Sequence, residues 1–411
     1  MRKTDAIIIG AGQAGLAMSY CLGRLGIDNV VLERGRLAER WRSERWDSLR
    51  LLTPNWMSRF PGWSYRGADP DGFMTKQEFV AYLEDYANAA SIPVITGATV
   101  QSVRHMPGGY RVESDLGVWH TPCVVIATGH CDVPFVPEMA RQLPASIRQV
   151  TPCAYRNPSE LPEGGVLVVG ASASGVQLAE EIHWSGRPVT ISVGRHTRLP
   201  RRYRGRDIMW WLGRSGRFGE RAGTTPDPAD ACRQPSMQLV GRPDQTSIDL
   251  GTLREIGVRV IGRTVGIRDG VLHINDDLAE TVAAAEARLE RVLERIDSAA
   301  DATGIPVEAR PAGLRFDASP TSLDLAGNGI RTVVWATGFK RNYRWLHVPV
   351  LDATGEIIHT GGVTPSPGLY VTGLRFLRRW NPAFIDAVTA DAIELAAEVE
   401  RHLRNTTCVA A

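Results

Sequence analysis

The chain has 411 residues, 43% of them hydrophobic, and a formal net charge of +2. That length exceeds one simple core and calls for two or three domains, while the small net charge gives no global case for nucleic acid or an anionic membrane surface as partner. No run reaches the roughly 18 apolar residues of a membrane span, and six scattered cysteines without a Cys-x-x-Cys pair exclude a dithiol redox motif and a zinc pattern, leaving reduced thiols in a cytoplasm as the simplest account.

The first predicted element is the β-branched run Ala6-Ile7-Ile8-Ile9, which enters Gly10-Ala11-Gly12-Gln13-Ala14-Gly15. Asp5 and the repeated glycines distinguish it from a signal peptide. Gly10 permits the tight turn out of the strand, Gly12 lets backbone approach a pyrophosphate, and Gly15 lets the next helix pack closely on the strand. Gln13 and Ala14 then stand at a helix N-terminus, whose unpaired N–H groups attract phosphate. A second strand, Asn29-Val30-Val31-Leu32, ends in Glu33, about 20 residues on, where a carboxylate accepts hydrogen bonds from a ribose. Strand, spacing and acid together predict a bound dinucleotide.

A segment rich in large side chains follows, with Arg40, Trp41 and Trp46 as candidates for core packing or for contact with a cofactor ring. Thr75 is placed to cap a helix over 76–90, in which Phe79, Val80, Leu83 and Tyr86 recur at helical spacing. Three β-rich runs come next, Ala98 to Val103, Gly109 to Glu113 and Trp119 to Ile126. Val103 is counted with the cofactor-contacting positions. The last run passes into Ala127-Thr128-Gly129-His130, small residues suited to a chain close beneath a cofactor.

The pattern then repeats. Val166-Leu167-Val168-Val169 enters Gly170-Ala171-Ser172-Ala173-Ser174-Gly175, 160 residues after the first loop. Ser172 stands where the middle glycine usually does, small enough for close approach and able to offer a hydroxyl. Two such loops imply two dinucleotides side by side, and hence electron transfer between cofactors. The strand Val189 to Val193 ends at Gly194-Arg195 with no acid, and an arginine there accommodates a 2′-phosphate. Arg195 and Arg198 therefore favour NADPH, with NADH as the alternative coenzyme. Nine arginines between Arg195 and Arg221, against Asp207 and Glu220, fit a phosphate-bearing cofactor better than RNA, for which no motif is present.

Further along, a helix is predicted over about 278–300, its alanines together with Leu289, Val292, Leu293 and Ile296 forming an apolar stripe. It either packs on its own domain or serves as a dimer contact or active-site cap. Trp210 and Trp211 line a substrate channel or anchor the inserted segment. A second Ala-Thr-Gly follows a strand at Ala336-Thr337-Gly338, and a third strand ends at Gly373. A helix containing Pro382, Ala383, Ile385, Val388 and Ala392 is expected to aim its N-terminus at an electron-rich ring.

On these residues the chain resembles the class B flavoprotein monooxygenases, the flavin-containing monooxygenases and their plant and bacterial relatives. The resemblance is carried by Gly10 to Gly15, the Trp41 region, Ala127-Thr128-Gly129, Gly170 to Gly175 and Ala336-Thr337-Gly338-Phe339, whose order spans most of the chain. It implies FAD on the first loop, NAD(P)H on the second, and a flavin C4a-(hydro)peroxide that transfers one oxygen atom from O2 to a small organic substrate. The sequence departs from the family at Thr151, where a histidine is aligned, and at Leu52 and Thr53, where the animal enzymes carry an asparagine and Asn55 lies just beyond.

The expected fold is α/β, with two Rossmann-like dinucleotide-binding domains, the second inserted into the first. The boundaries read 1–155 and 331–411 for the FAD domain and 156–330 for the NAD(P)H domain, with an added segment at about 199–311. No nucleophile triad or metal cluster emerges, so the cofactor carries the difficult chemistry. The alternatives are an NADPH-dependent oxidase or reductase serving a quinone or protein acceptor, and a nucleotide sensor without turnover. Homodimers are common in the group.

Overall fold

A computed structural model describes residues 2–222, 234–301, 304–306, 308–380 and 384–409, with the side chains of 407–409 left out. In chain order the elements that matter are β1 (Ala6–Ile9), α1 (Gln13–Arg24), β2 (Asn29–Leu32), α2 (Glu39–Ser43), α3 (Lys76–Ala89), β3 (Val94–Ile95), β4 (Val100–Met106), β5 (Gly109–Ser114), β6 (Gly117–Thr121) and β7 (Cys123–Ile126). The middle of the chain gives β8 (Arg148–Val150), β9 (Gly165–Val169), α4 (Ala173–Trp184), β10 (Val189–Ser192), β11 (Thr197–Arg198), α5 (Ile208–Arg214), β12 (Met237–Gln238), α6 (Leu250–Glu255), β13 (Arg259–Ile261) and α7 (Leu278–Asp301). The last are β14 (Ile330–Trp335), β15 (Leu369–Val371) and α8 (Ile385–Val409).

Two five-stranded sheets organise the molecule. The first runs β15-β7-β1-β2-β3 and the second β8-β14-β9-β10-β13, and every pairing in both is parallel. Buried parallel strands read as continuous apolar runs because helices cover both faces, and all four residues of β1 are buried accordingly. The meander β4-β5-β6 is antiparallel and packs beside the first sheet, its core residues Val103, Tyr110, Val112 and Trp119 clustering with Ile7 and Ile9. The α/β class and the paired nucleotide-binding sheets are as the sequence predicts.

The domain boundaries shift. β8 and β14 pair with each other inside the second sheet, so the chain leaves the first domain before Arg148, not at 155, and returns after Trp335, not at 331. The two crossings lie side by side. Val133–Pro134 pairs antiparallel with Phe339–Lys340, and the Phe135 N–H donates to the Gly338 carbonyl at 2.8 Å.

The inserted helix α7 buries Leu278, Val282, Ala285, Leu289, Leu293, Ile296 and Ala300, a stripe at the predicted spacing. That stripe is covered by this chain's own β11 and α5, so it is not a bare face for a dimer partner. Thr75 caps α3 as expected, in a capping box with Glu78. Pro382 and Ala383, predicted at the start of the last helix, lie outside the described residues.

Candidate functional site: a two-loop dinucleotide cleft

Each glycine loop is locked the same way. A Cβ on Gly10, whose φ is +110°, would stand 2.7 Å from the Ala127 carbonyl oxygen, and one on Gly170, φ +108°, 2.4 Å from that of Ala336. A Cβ on Gly15 or on Gly175 would meet the carbonyl oxygen of its own loop's first glycine at 1.9 Å. The two Ala-Thr-Gly turns thus pack their first residue against a loop, which explains why they recur in step with the loops. Gly12 differs, because a Cβ there would have no neighbour within 4 Å. The loop is tight where helix meets strand and open where a phosphate would approach. Ala14 closes the pattern, since its Cβ stands 2.7 Å from where one on Gly373 would be.

Glu33 is fixed by the loop it serves. Its Oε2 accepts from Ala11 N at 2.8 Å and its Oε1 from Gly35 N at 2.9 Å, which aligns the carboxylate beside the loop with further lone pairs to accept from a ribose. Arg40 on α2 donates to the Cys131 carbonyl and pairs with Asp132, tying α2 to the turn that follows Gly129. Trp41 stands edge-on to Phe79 at 4.8 Å with the Arg45 guanidinium over its ring.

A cleft of about 510 Å³ joins these parts. Gly10, Gly12, Gln13, Ala14, Glu33, Arg40, Trp41, Ala127, Thr128 and Gly129 line it from the first domain, and Ala173, Ser174 and Gln177 from the second loop and α4. Leu49, Leu51, Leu52 and Thr53 form an apolar wall, and Phe384, Ile385 and Val388 bring in the start of α8. His130 lines the cleft too. Burial, with Arg375, Arg341, Arg45 and Arg40 around it, pushes its imidazole down to about 3, so it is neutral at pH 7.

Other predicted positions support the cleft without lining it. Gly15, Gly170 and Gly175 do so through packing, and Ser172 is the residue before α4, its hydroxyl capping no helix N–H. Thr337 donates to the Phe135 carbonyl, and Gly338 accepts from Phe135 N, so both secure the chain crossing. Arg195 is exposed just beyond β10.

Two assignments are corrected. Val103 is wholly buried on β4 and faces the core with Tyr110 and Trp119; Thr99 and Val100, a few residues earlier, line the cleft instead. Arg198 is buried, with Nε on Asp249 at 2.7 Å and Nη1 on Glu286 at 2.8 Å and on the Ala312 carbonyl at 3.0 Å, so its guanidinium is held in an internal ion-pair cluster and is not presented to a 2′-phosphate. The wider arginine stripe resolves the same way, with Arg201 on Asp207, Arg204 on Asp297 and Asp301, and Arg217 on Glu220. Arg198, Arg201, Arg204 and Arg217 are thus held in ion pairs within the chain, while Arg202, Arg206 and Arg214 stand exposed.

The remaining sequence candidates also find places. Asn55 is buried and holds Met74 N at 2.8 Å and the Asp69 carbonyl at 2.9 Å, so Thr53 rather than Asn55 reaches the cleft. The Thr151 carbonyl accepts from Ala154 N and Tyr155 N in a turn, and Pro152 touches the cleft. Trp211 is fully buried and donates to the Tyr203 carbonyl at 2.6 Å, an anchor for the insertion; Trp210 lines a separate, more open cavity of about 530 Å³ with Trp56 and Phe218. Gln177, Ser236 and Met237 were not selected from sequence, since no glycine or charge pattern marks them, whereas Leu52 and Thr53, noted where an asparagine is aligned, do line the cleft. Among the described residues no group of His, Cys, Asp and Glu could hold a metal ion, and no helix is long and apolar enough to cross a membrane.

Two locked loops, an acid fixed beside the first of them and one shared cleft mark a flavin-dependent oxidoreductase similar to the class B flavin monooxygenases. Residues 7–207 match the pyridine nucleotide-disulphide oxidoreductase family model. The chain belongs to the family of CzcO-like oxidoreductases: it is 33% identical over 401 residues to an uncharacterized oxidoreductase CzcO-like of Geobacillus kaustophilus (strain HTA426), covering 97% of this chain and 99% of the relative. It is also 33% identical over 181 residues to a probable indole-3-pyruvate monooxygenase, YUCCA1, of Arabidopsis thaliana, covering 43% of this chain and 44% of that one. The solved flavin-containing monooxygenase from Stenotrophomonas maltophilia shares the fold, with a TM-score of 0.69 and 19% identity over 98% of this chain and all of that one, a coverage of 100%. Membership in this group implies a flavin and a pyridine nucleotide in general.

Proposed function

We propose that the protein is an FAD-dependent, NADPH-oxidising monooxygenase that inserts one oxygen atom from O2 into a small organic substrate. The observation that carries this reading is the single cleft, which both glycine loops enter and which an apolar wall encloses. Glu33 and the N-terminus of α1 would hold FAD by its ribose and pyrophosphate, and the N-terminus of α4 would hold NADPH, with exposed Arg195 at the 2′-phosphate. FAD, when bound, supplies electron transfer from the coenzyme and reaction with dioxygen.

The protein's own residues bind, orient and exclude water. Trp41, Trp46, Leu49, Leu51 and Leu52 present apolar surface to the cleft, which keeps a reactive centre dry. His130 stays neutral and so adds no charge to the cleft at pH 7. Soft sulfur and nitrogen nucleophiles and carbonyl compounds are the substrate classes; the relatives' activity toward indole-3-pyruvate makes a 2-oxo acid the first carbonyl compound to try.

The test supplies NADPH and ¹⁸O2 to the FAD-loaded protein with indole-3-pyruvate, cyclohexanone and methyl p-tolyl sulfide, and follows ¹⁸O in products alongside hydrogen peroxide. A labelled product supports oxygen insertion. If every electron pair instead leaves as hydrogen peroxide, or passes to an added quinone, the protein is an oxidase or reductase.

A further inference from the structure

A stretch outside both loop motifs joins them. Ser236 and Met237 line the cleft. Next to them, Gln238 Nε2 donates to the Ala171 carbonyl of the second loop at 2.7 Å, and the Leu239 carbonyl accepts from Gln177 Nε2 of α4 at 2.6 Å. Two residues on, the same stretch meets the other domain. A Cβ on Gly241 would stand 1.9 Å from the Leu51 carbonyl oxygen and 2.8 Å from the Phe73 Cβ. Only glycine lets the insertion come this near to the cleft wall.

Arg201 reaches the adjacent peptide. Its guanidinium is completely buried, donates to the Leu52 carbonyl at 2.7 Å and to Asp207 Oδ1 at 2.5 Å, and lies 5.1 Å from the Phe73 ring centre. Asp207 in turn caps α5 through Met209 N at 2.7 Å. Burying a guanidinium costs several kcal/mol unless its donors are well used, and one of these donors is used on the backbone of the cleft wall.

We propose that Arg201 and Gly241 are positioning residues: they set where the Leu51–Thr53 wall stands relative to the second glycine loop, and so the spacing at which flavin and nicotinamide meet. The inserted segment is then part of the redox site. This rests on the flavin and pyridine-nucleotide reading, and not on oxygen insertion.

The test compares Gly241→Ala, Arg201→Lys and Arg201→Met holoenzymes with the unmodified protein. Three quantities are read: the visible circular dichroism of bound oxidised flavin, the thermal midpoint of the apoprotein, and anaerobic flavin reduction over a range of NADPH concentrations. A displacement on the order of 1 Å costs up to about a hundredfold in rate. Gly241→Ala and Arg201→Met are expected to alter the dichroism and lower the limiting reduction rate about tenfold or more, with the half-saturating NADPH concentration held within about twofold. Arg201→Lys, which keeps a cationic donor but not the fork, should recover part of that loss. Should Arg201→Met fail to retain flavin, Gly241→Ala and Arg201→Lys decide. Unchanged dichroism and limiting rate in Gly241→Ala overturn the inference, as do losses that only track the unfolded fraction. Were NADPH not to reduce even the unmodified protein, the coenzyme reading would fall while the dichroism still tests the wall.

Discussion

Replacing Gly12 and Gly15 by alanine makes the same chemical change three residues apart, and the structure predicts opposite consequences. At Gly15 the added methyl would lie 1.9 Å from the Gly10 carbonyl oxygen, so α1 must separate from β1. Overpacking a tight core costs about 1–3 kcal/mol, and a backbone that cannot yield puts Gly15→Ala at or beyond the upper end. At Gly12 the backbone is extended, with φ −86° and ψ −177°, and no neighbour lies within 4 Å. The fold then loses only the small preference for glycine over alanine before a helix, below about 1 kcal/mol. The methyl fills the side from which a pyrophosphate approaches, and the same 1–3 kcal/mol now falls on binding, weakening FAD by about 5- to 150-fold. Apoprotein melting and titration with FAD, followed by quenching of flavin fluorescence, separate the two. The reasoning is refuted if Gly12→Ala binds FAD like the unmodified protein, or if its apoprotein is destabilised as much as that of Gly15→Ala.

Three further outcomes are expected. Arg195→Ala should raise KM for NADPH about tenfold, the worth of a charge-assisted contact, and leave KM for NADH within about twofold; equal losses with both coenzymes would remove the 2′-phosphate role. Arg198→Ala leaves Asp249 and Glu286 without their buried partner and should cost about 3–5 kcal/mol of stability, seen as a lower melting temperature with an unchanged ratio of NADPH to NADH KM values; an altered ratio in a fully stable variant would contradict this. Asp391, buried beside Arg379, is pushed up by burial to about 6 from 3.8. Its folded value lies above its unfolded one, so its contribution is complete below about pH 4 and is lost as pH rises through about 6, a swing on the order of 3 kcal/mol. Denaturant titrations between pH 4 and 7 should show that component vanish in Asp391→Asn, and a pH slope identical in both proteins would exclude it.

What the sequence discloses is local. Glycines at Gly10 to Gly15 and Gly170 to Gly175 are required by backbone approach within a few residues, so spacing alone finds them, and α7 announces itself by its stripe. The arginines from Arg198 to Arg217 mislead because several of their counter-charges, Asp249, Glu286, Asp297 and Asp301, lie 50 to 100 residues downstream and meet them only in the fold. Val103 misleads because it lies in the middle of the strand, packed in the core with Tyr110 and Trp119, while the cleft takes Val100 at the strand's start and Thr99 just before it. β8 is three residues long and carries one buried side chain, too little pattern to show that the second sheet begins before Tyr155. The wall at Leu51 to Thr53 is set by partners in the insertion, which no local motif records.

The paired crossings between the domains limit how the molecule can breathe. A chain that passed between two bodies at distant points would let them slide or part in several directions. These two passages are laced together by the Val133–Pro134 and Phe339–Lys340 ladder, with the Lys340 ammonium 4.6 Å from the Phe135 ring centre. Such a ribbon twists readily and stretches poorly. The two passages are therefore tied to each other, and any widening of the gap between the loops has to carry both strands of that ribbon as well as the contacts of Arg201 and Gly241 with the wall.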